Sequence, residues 1–594
     1  MDPQIAFLLS KAAESINVSN LSSAKLYLNQ ASKTQGKNPE VLNLLGVLAA
    51  LECNHIEALD YFEKLIELKP KSAIAYSNKG NVLQELKRYE DALICYEKAL
   101  SLQPTNHEAL SNKGNALQAL KRYEDAIIYY DKALSLQPAY HEAFSNKGNA
   151  LQELKRYEDA LICYDKALSL RPNYHEALRN KGHALQELRC YEDALICYDK
   201  AISLQQNYYE AYINKAYVLK VVKKYDEAIK NYDKALVLNN SSTDAWSGKA
   251  LVHANLKQLS DARECYKNAM NIDPNDRRAN YGLGHLELSQ FNFLDGWRSY
   301  DYRWGLEEHD SPPLITSKLK WLGITHEESL LVWSEQGIGD QILYSSMLHE
   351  LAEFSQRNII SLDEKLLPIF RRSFPDYEFI NKADSISEDL YEKHIPIGSL
   401  GGIFRNSLED FESALHPYIV DDVARTQSIK SRPEFTNKVT CGVSWGSINK
   451  KMGDDKSIPI QVLYPILKMN NIEFVNLQYG DIKATLLRVQ EEIGKKILNL
   501  DEVDLFEDVD GALSIISACD VIVTSSNSTA HLAGALGKET LLLVPYSVGQ
   551  FWYWHAIDGK SIWYPSVMVF EQEHQGDWTA PVNAVKQYLE SRFG

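Results

Sequence analysis

The chain has 594 residues, more than one hydrophobic core accommodates, so several cores or a repeat array are expected. Hydrophobic residues make up 45% and charged residues 24%, the composition of folded globular protein. A net charge of -17 excludes broad nucleic-acid binding, which needs a basic surface to neutralise phosphates.

The first residues, MDPQIAFLLSKAAES, do not join a basic segment to a long apolar run, so no signal peptide is expected there. No apolar stretch reaches the roughly 18 residues of a membrane helix. Of eight cysteines none forms a CxxC pair. Cys95, Cys163, Cys197 and Cys265 recur at one position of a repeat and read as packing filler. Reduced thiols and a cytoplasmic location are the expectation.

Residues 1–305 read as a repeat array. The segment NKGNVLQELKRYEDALICYEKALSLQP at Asn78 returns at Asn146 with three changes, and a third copy starts at Asn112, a period of 34. Gly80, Gly114, Gly148 and Gly182 form one column, Tyr96, Tyr130, Tyr164 and Tyr198 another, and Pro70, Pro104, Pro138 and Pro172 close the units. Small residues let two helices approach, Tyr fills the gap beside them, and Pro ends the second helix. This pattern resembles the tetratricopeptide repeat, with about eight or nine units including degenerate copies at both ends. Such units stack into an α-solenoid with a concave face.

At roughly 100° per residue, Asn78 lies about 200° around its helix from Gly80, away from the contact within its unit. Asn112, Asn146, Asn180 and Asn214 repeat this placement. Such an amide ladder suits the backbone of an extended polypeptide, whatever its side chains. The O-GlcNAc transferases, which also join such repeats to a transferase domain, have a similar Asn column. The alternative is that recently duplicated units simply carry the same surface residues.

Beyond about 305 the texture changes. Residues 306–327 read as a linker or packing segment. Then apolar runs alternate with helical periodicity: LLVWS, NIIS, YEFI and HIPIGSL within 328–432, and KVTCGVSW, IEFVNLQ, DVIVTS and ETLLLVP within 433–594. This predicts two adjacent doubly wound α/β halves, with ligands beyond the carboxyl ends of the strands.

Two junctions carry candidate chemistry. In LLVWSEQGIGDQILY, a strand gives way to a turn with Gly337 and Gly339, and Asp340 stands at a helix start. Asp340 there is either a helix cap or a group facing the cleft. In DVIVTSSNSTAHLAGALGK, Ser526, Asn527, Ser528 and Thr529 make the turn before a helix carrying His531. Exposed N–H groups at such a helix start suit a pyrophosphate, while an ordinary Ser/Thr cap and a packed histidine read the same residues structurally. No metal-ligand cluster is evident among the 15 histidines, so neither metal nor cofactor is expected.

Together SEQGIGDQI, SSNSTAHLAGALGK and the C-terminal FWYWHAIDGKSIWYPSVMVFEQEHQGDW resemble the heptosyltransferase-like glycosyltransferases of the GT-B fold, in the bacterial branch that carries tetratricopeptide repeats. The resemblance implies metal-independent transfer from a nucleotide sugar. Asp340 would be the base and Thr529 and His531 would hold the pyrophosphate. The loop after CGVSW, with Ser444, Lys450 and Lys451, would contact phosphate, although both lysines also fit a solvated loop. Relatives usually have Asp where Ser526 stands. Some members with this layout glycosylate flagellin, which implies a protein acceptor captured by the repeats. Two rivals remain open: a glycan or lipid-linked acceptor with the repeats as partner scaffold, and a non-catalytic scaffold with a degenerate transferase domain.

Overall fold

The computed structural model describes residues 2–306, 311–324, 326–447, 453–546 and 550–594. It divides into two compact units, Met1–Asn240 and Ser241–Gly594.

Unit 1 holds seven helix pairs, from Pro3–Asn17 and Leu21–Gln35 to Tyr209–Val221 and Tyr225–Leu238. The glycine column has its expected cause. A Cβ on Gly80 would lie 2.7 Å from Tyr96 Cε1, and Gly114 and Gly182 meet Tyr130 and Tyr198 at the same distance. Each pair turns on one residue in the left-handed region: Lys87, Lys121, Lys155, Arg189 and Lys223 have φ between 58° and 63°. Glycine is the usual occupant of such a turn, and a side chain there costs about 1–2 kcal/mol.

The Asn column is tied between units. Nδ2 of Asn112, Asn146 and Asn180 donates to Oδ1 of Asn81, Asn115 and Asn149 in the preceding unit at 2.8–2.9 Å, and Asn78 donates to Asn43 at 3.0 Å. The buried Tyr96 hydroxyl donates to the same Asn81 oxygen at 2.8 Å, and Tyr130 and Tyr164 do so to Asn115 and Asn149. His183 stands where the next Asn would be, and Tyr198 instead meets Gln186 at 3.2 Å and Asn214. The expectation that these amides simply face a groove is thereby modified. Each spends part of its N–H capacity on its neighbour unit.

Unit 2 begins with two further pairs, Thr243–Asn255 with Leu259–Ile272 and Arg277–Ser289 with Phe293–Tyr300. The boundary expected at 305 therefore lies inside this unit. Trp297 is buried, packs against Gly401 and Trp552, and donates its indole N–H to Arg405 O at 2.7 Å. The Tyr300 and Tyr344 hydroxyls are 3.0 Å apart. The last pair is thus part of the core that follows it.

The α/β part has two sheets. In the first, β1 (Leu319–Lys320), β2 (His326–Trp333), β3 (Ser355–Leu362), β4 (Glu378–Asn381) and β5 (Lys393–Pro396) lie in the order β1-β5-β2-β3-β4, all parallel. Residues 306–327 are accordingly more than a linker: they supply β1 and the buried Trp321. In the second sheet, β6 (Val439–Ser444), β7 (Ile472–Asn476), β8 (Val521–Ser525), β9 (Thr540–Val544) and β12 (Val567–Glu571) run parallel, with β10 (Ala556–Ile557) and β11 (Lys560–Ser561) antiparallel at one edge. Their order is β10-β11-β12-β9-β8-β6-β7. All eight apolar runs picked out in the sequence contain a strand, although Ile397–Leu400 of HIPIGSL is a 3-10 helix. Each sheet reverses its winding once, between β2 and β5 and between β6 and β8. Crevices for ligands open at the carboxyl ends of such reversal points.

Candidate functional site

Both reversal points carry the junctions singled out in the sequence. After β2, Gln336 takes φ 61°, left-handed for a non-glycine residue, and its N–H donates to Ser311 Oγ at 2.7 Å. Such a conformation costs of order 1–3 kcal/mol and persists where the surroundings impose it. The helix Ile338–Ser345 starts next, and the Asp340 carboxylate reaches back to the Gly337 N–H at 3.3 Å. Asp340 is therefore a helix-capping group.

Asp340 lies deep in the protein yet keeps part of its surface open. Burial pushes its carboxyl up to about 6, against the opposing pull of Lys456 and the Gly337 N–H, with Glu335 adding to the rise. Desolvation wins because the charged form loses more hydration than these partners return. A carboxylate titrating near neutral pH is suited to taking a proton.

The cation facing it is Lys456, which sequence reasoning missed. It is buried, with Nζ 3.7 Å from the centre of the Phe551 ring. Burial lowers its ammonium to about 8, and Asp340 opposes that fall. Lys450 and Lys451, the cations picked from this loop, lie outside the described residues.

The second junction is built around two amides. Asn527 caps the helix Ser528–Ala535, accepting the Thr529 N–H at 3.0 Å, and its Nδ2 donates to Ser444 Oγ at 2.7 Å and to Gly446 O at 3.1 Å. Gln478 accepts the Trp445 and Gly446 N–H groups at 2.9 and 2.6 Å and the Ser444 hydroxyl at 3.2 Å. Ser444 and Asn527 thus lock the ends of β6 and β8 together. Gln478 is a second residue that sequence reasoning missed, because its partners arrive from β6. Ser526 is buried and its hydroxyl accepts the Trp554 indole N–H at 2.8 Å. Ser528 remains partly open, and Thr529 is buried.

His531 joins the two junctions. The helices Ile338–Ser345 and Ser528–Ala535 pack together with the His531 ring against Gly339. Nδ1 of His531 is 3.0 Å from the Tyr564 hydroxyl, and the ring lies 4.7 Å from that of Trp554. Burial holds its pKa down to about 3, with Lys456 pressing the same way, so the ring is neutral near pH 7. It can position or donate one hydrogen bond, but it brings no charge. Asp340, Lys456, Gly339 and His531 are therefore brought together, with Tyr344, Tyr553 and Tyr564 around the carboxylate.

Among the described residues no group of three or more His, Cys, Asp or Glu is placed to hold a metal. None of the described helices is long and apolar enough to cross a membrane. All eight cysteines are free, and Cys95, Cys163, Cys197 and Cys265 are buried.

Comparison with known proteins bears on the repeats. Profiles of the tetratricopeptide repeat match residues 37–105, 71–139, 141–174, 175–208, 197–230 and 243–276. Protein FlbA of Caulobacter vibrioides is 27% identical over 315 residues, 50% of this chain and 52% of that protein. The chain thus spans about half the length of the curated relative it matches. Among solved structures, YrrB, described as a TPR protein with an unusual peptide-binding site, is 26% identical, covering 31% of this chain and 95% of its own, with a TM-score of 0.27. PilF of Pseudomonas aeruginosa is 24% identical, covering 36% and 97%, with a TM-score of 0.32. The residues from the N-terminus to about 300 are a tetratricopeptide α-solenoid, and the remainder is α/β.

Proposed function

We propose that this chain is a metal-independent glycosyltransferase of GT-B type that moves a sugar from a nucleotide-sugar donor to a hydroxyl of a protein acceptor held by the repeats. The observation that carries this reading is Asp340, a carboxylate tuned to about 6 beside Lys456 at a strand reversal point. Asp340 takes the proton of an acceptor Ser or Thr hydroxyl, and that oxygen attacks the anomeric carbon. The bond to the nucleoside diphosphate breaks, and its electron pair leaves with the diphosphate. Lys456 and the N–H groups at the start of the Ser528–Ala535 helix offset the charge that develops there.

The free carbonyl sides of the Asn112 and Asn146 amides offer acceptors to backbone N–H groups of an extended polypeptide. A flagellin-like acceptor is the first to try.

Thermal-shift measurement of the full chain against nucleoside diphosphates and nucleotide sugars tests the donor half. A stabilising shift with one nucleotide family, reduced in Lys456→Ala, is expected. No shift with any of them would remove the transferase reading and leave the scaffold.

A further inference from the structure

Just after the last repeat helix, Arg303 is fully buried. Its guanidinium lies between the rings of Tyr300 and Trp304, 4.7 and 4.4 Å from their centres. It clamps Glu335 with two parallel bonds, Nε to Oε2 at 2.7 Å and Nη2 to Oε1 at 2.6 Å. Its remaining N–H groups go to Asp301, Ser399 and the Tyr300 carbonyl. Glu335, also buried, accepts the Gly398 N–H at 3.0 Å. A Cβ on Gly398 would lie 2.6 Å from the same carboxylate oxygen, so the pair is closely walled in.

Glu335 opens the turn that ends at Asp340, and the strained Gln336 follows it directly. A bidentate Arg–carboxylate pair is rigid in a way a single contact is not. A buried pair of this kind fixes geometry more dependably than it adds stability.

We propose that Arg303 and Glu335 are positioning residues for Asp340: the end of the repeat array holds Glu335, and Glu335 sets both the course of the turn and the charge that Asp340 meets. This rests on the reading of Asp340 as the base. The groups that face Asp340 are Glu335 on its own turn, Tyr344 on its helix, Lys456, Tyr281 of the last repeat, and Tyr553 and Tyr564. His531 adjoins through Gly339 and is neutral. Glu335 is thus the neighbouring carboxylate, and its loss has a defined sign: Asp340 gives up its proton at lower pH.

Two substitutions separate charge from shape. Glu335→Gln keeps the size and removes the charge, while Glu335→Asp keeps the charge and shortens the reach. The full chain, carrying carboxyl-13C aspartate, is titrated by NMR with Asp340→Asn as the subtraction that assigns the signal. Glu335→Gln is expected to lower the Asp340 midpoint by about half a unit or more, while Glu335→Asp leaves it near that of the unaltered protein. In a donor-turnover assay, the acid limb moves with the midpoint in Glu335→Gln, and turnover falls without a move in Glu335→Asp.

An unmoved midpoint in a folded Glu335→Gln protein overturns the proposal. Should that variant not fold, Arg303→Lys, which keeps both charges and loses the fork, decides: turnover remaining at the unaltered level in it would equally overturn the proposal. The NMR midpoint is read whether or not sugar is transferred. Absent turnover with a shifted midpoint therefore counts against the transferase reading and not against the positioning role.

Discussion

Gly339 and His531, 192 positions apart in the chain, are so close that a Cβ on Gly339 would lie 2.8 Å from His531 Cδ2. The histidine cannot retreat, because Tyr564 bonds its Nδ1 and Trp554 covers its face. Gly339→Ala is therefore expected to destabilise the protein by about 1–3 kcal/mol, the usual cost of overpacking. His531→Ala should absorb much of that cost. In denaturant melts, the double variant would be less destabilised than the sum of the two singles by more than about 0.5 kcal/mol. Simple additivity would mean that the two residues do not meet.

Asp340 predicts a trade between stability and activity. Its carboxyl titrates near 6 in the folded protein, above the ordinary value of about 3.9. A raised carboxyl favours the protonated form in the fold, so its contribution is full below about pH 4 and declines as pH rises through 6. Asp340→Asn should thus be more stable than the unaltered protein at pH 7 by about 1–3 kcal/mol and equal to it at pH 4. In the same variant, transfer should fall by about two to four orders of magnitude. Melting at the two pH values, with a donor-turnover assay, checks both.

Ser526 gives a different expectation. Its hydroxyl accepts the Trp554 indole, so Ser526→Ala leaves a buried N–H without an acceptor and should cost about 1–3 kcal/mol. Nucleotide affinity, measured by calorimetry at a temperature where both proteins are folded, should not change. A marked loss of affinity would place Ser526 on the donor instead.

Truncation discriminates between the boundary legible in the sequence and the one in the fold. A fragment of residues 241–594 keeps Trp297, Tyr300 and Arg303 and should unfold cooperatively in urea. A fragment starting at 306 leaves Glu335 buried without its cation and Gly401 uncovered. Breaking a buried pair costs about 3–5 kcal/mol, so this fragment should fail to fold. Cooperative unfolding of the shorter fragment would show that the last repeat is dispensable.

The repeats were legible because near-identical copies expose their period, and because the Gly and Tyr columns have one steric cause. The strands β2 to β9 were legible as apolar runs, whereas β1, β10, β11 and β12 were not picked out. Local signals do not reveal a group whose meaning comes from distant partners. Lys456 sits in GDDK, a stretch that reads as solvated, and becomes buried only because Phe551 and Asp340 arrive from elsewhere. Arg303 and Trp297 look like repeat decay, yet they are core residues of the domain that follows. Ser526 drew attention as an absent carboxylate, and its partner Trp554 lies 28 positions on.

The amide tie between units has an evolutionary corollary. Asn146 holds Asn115 as Asn112 holds Asn81, with nearly the same length and the same tyrosine completing each node. Loss of residues 112–145 by recombination between the matching stretches would bring Asn146 against Asn81, and every bond would re-form with an equivalent partner. Gain of a unit would work in the same way. Unit 1 is thus an array that inheritance can lengthen or shorten in steps of one repeat, while the last repeat, joined to Glu335 and Gly401, is fixed within the fold that follows it.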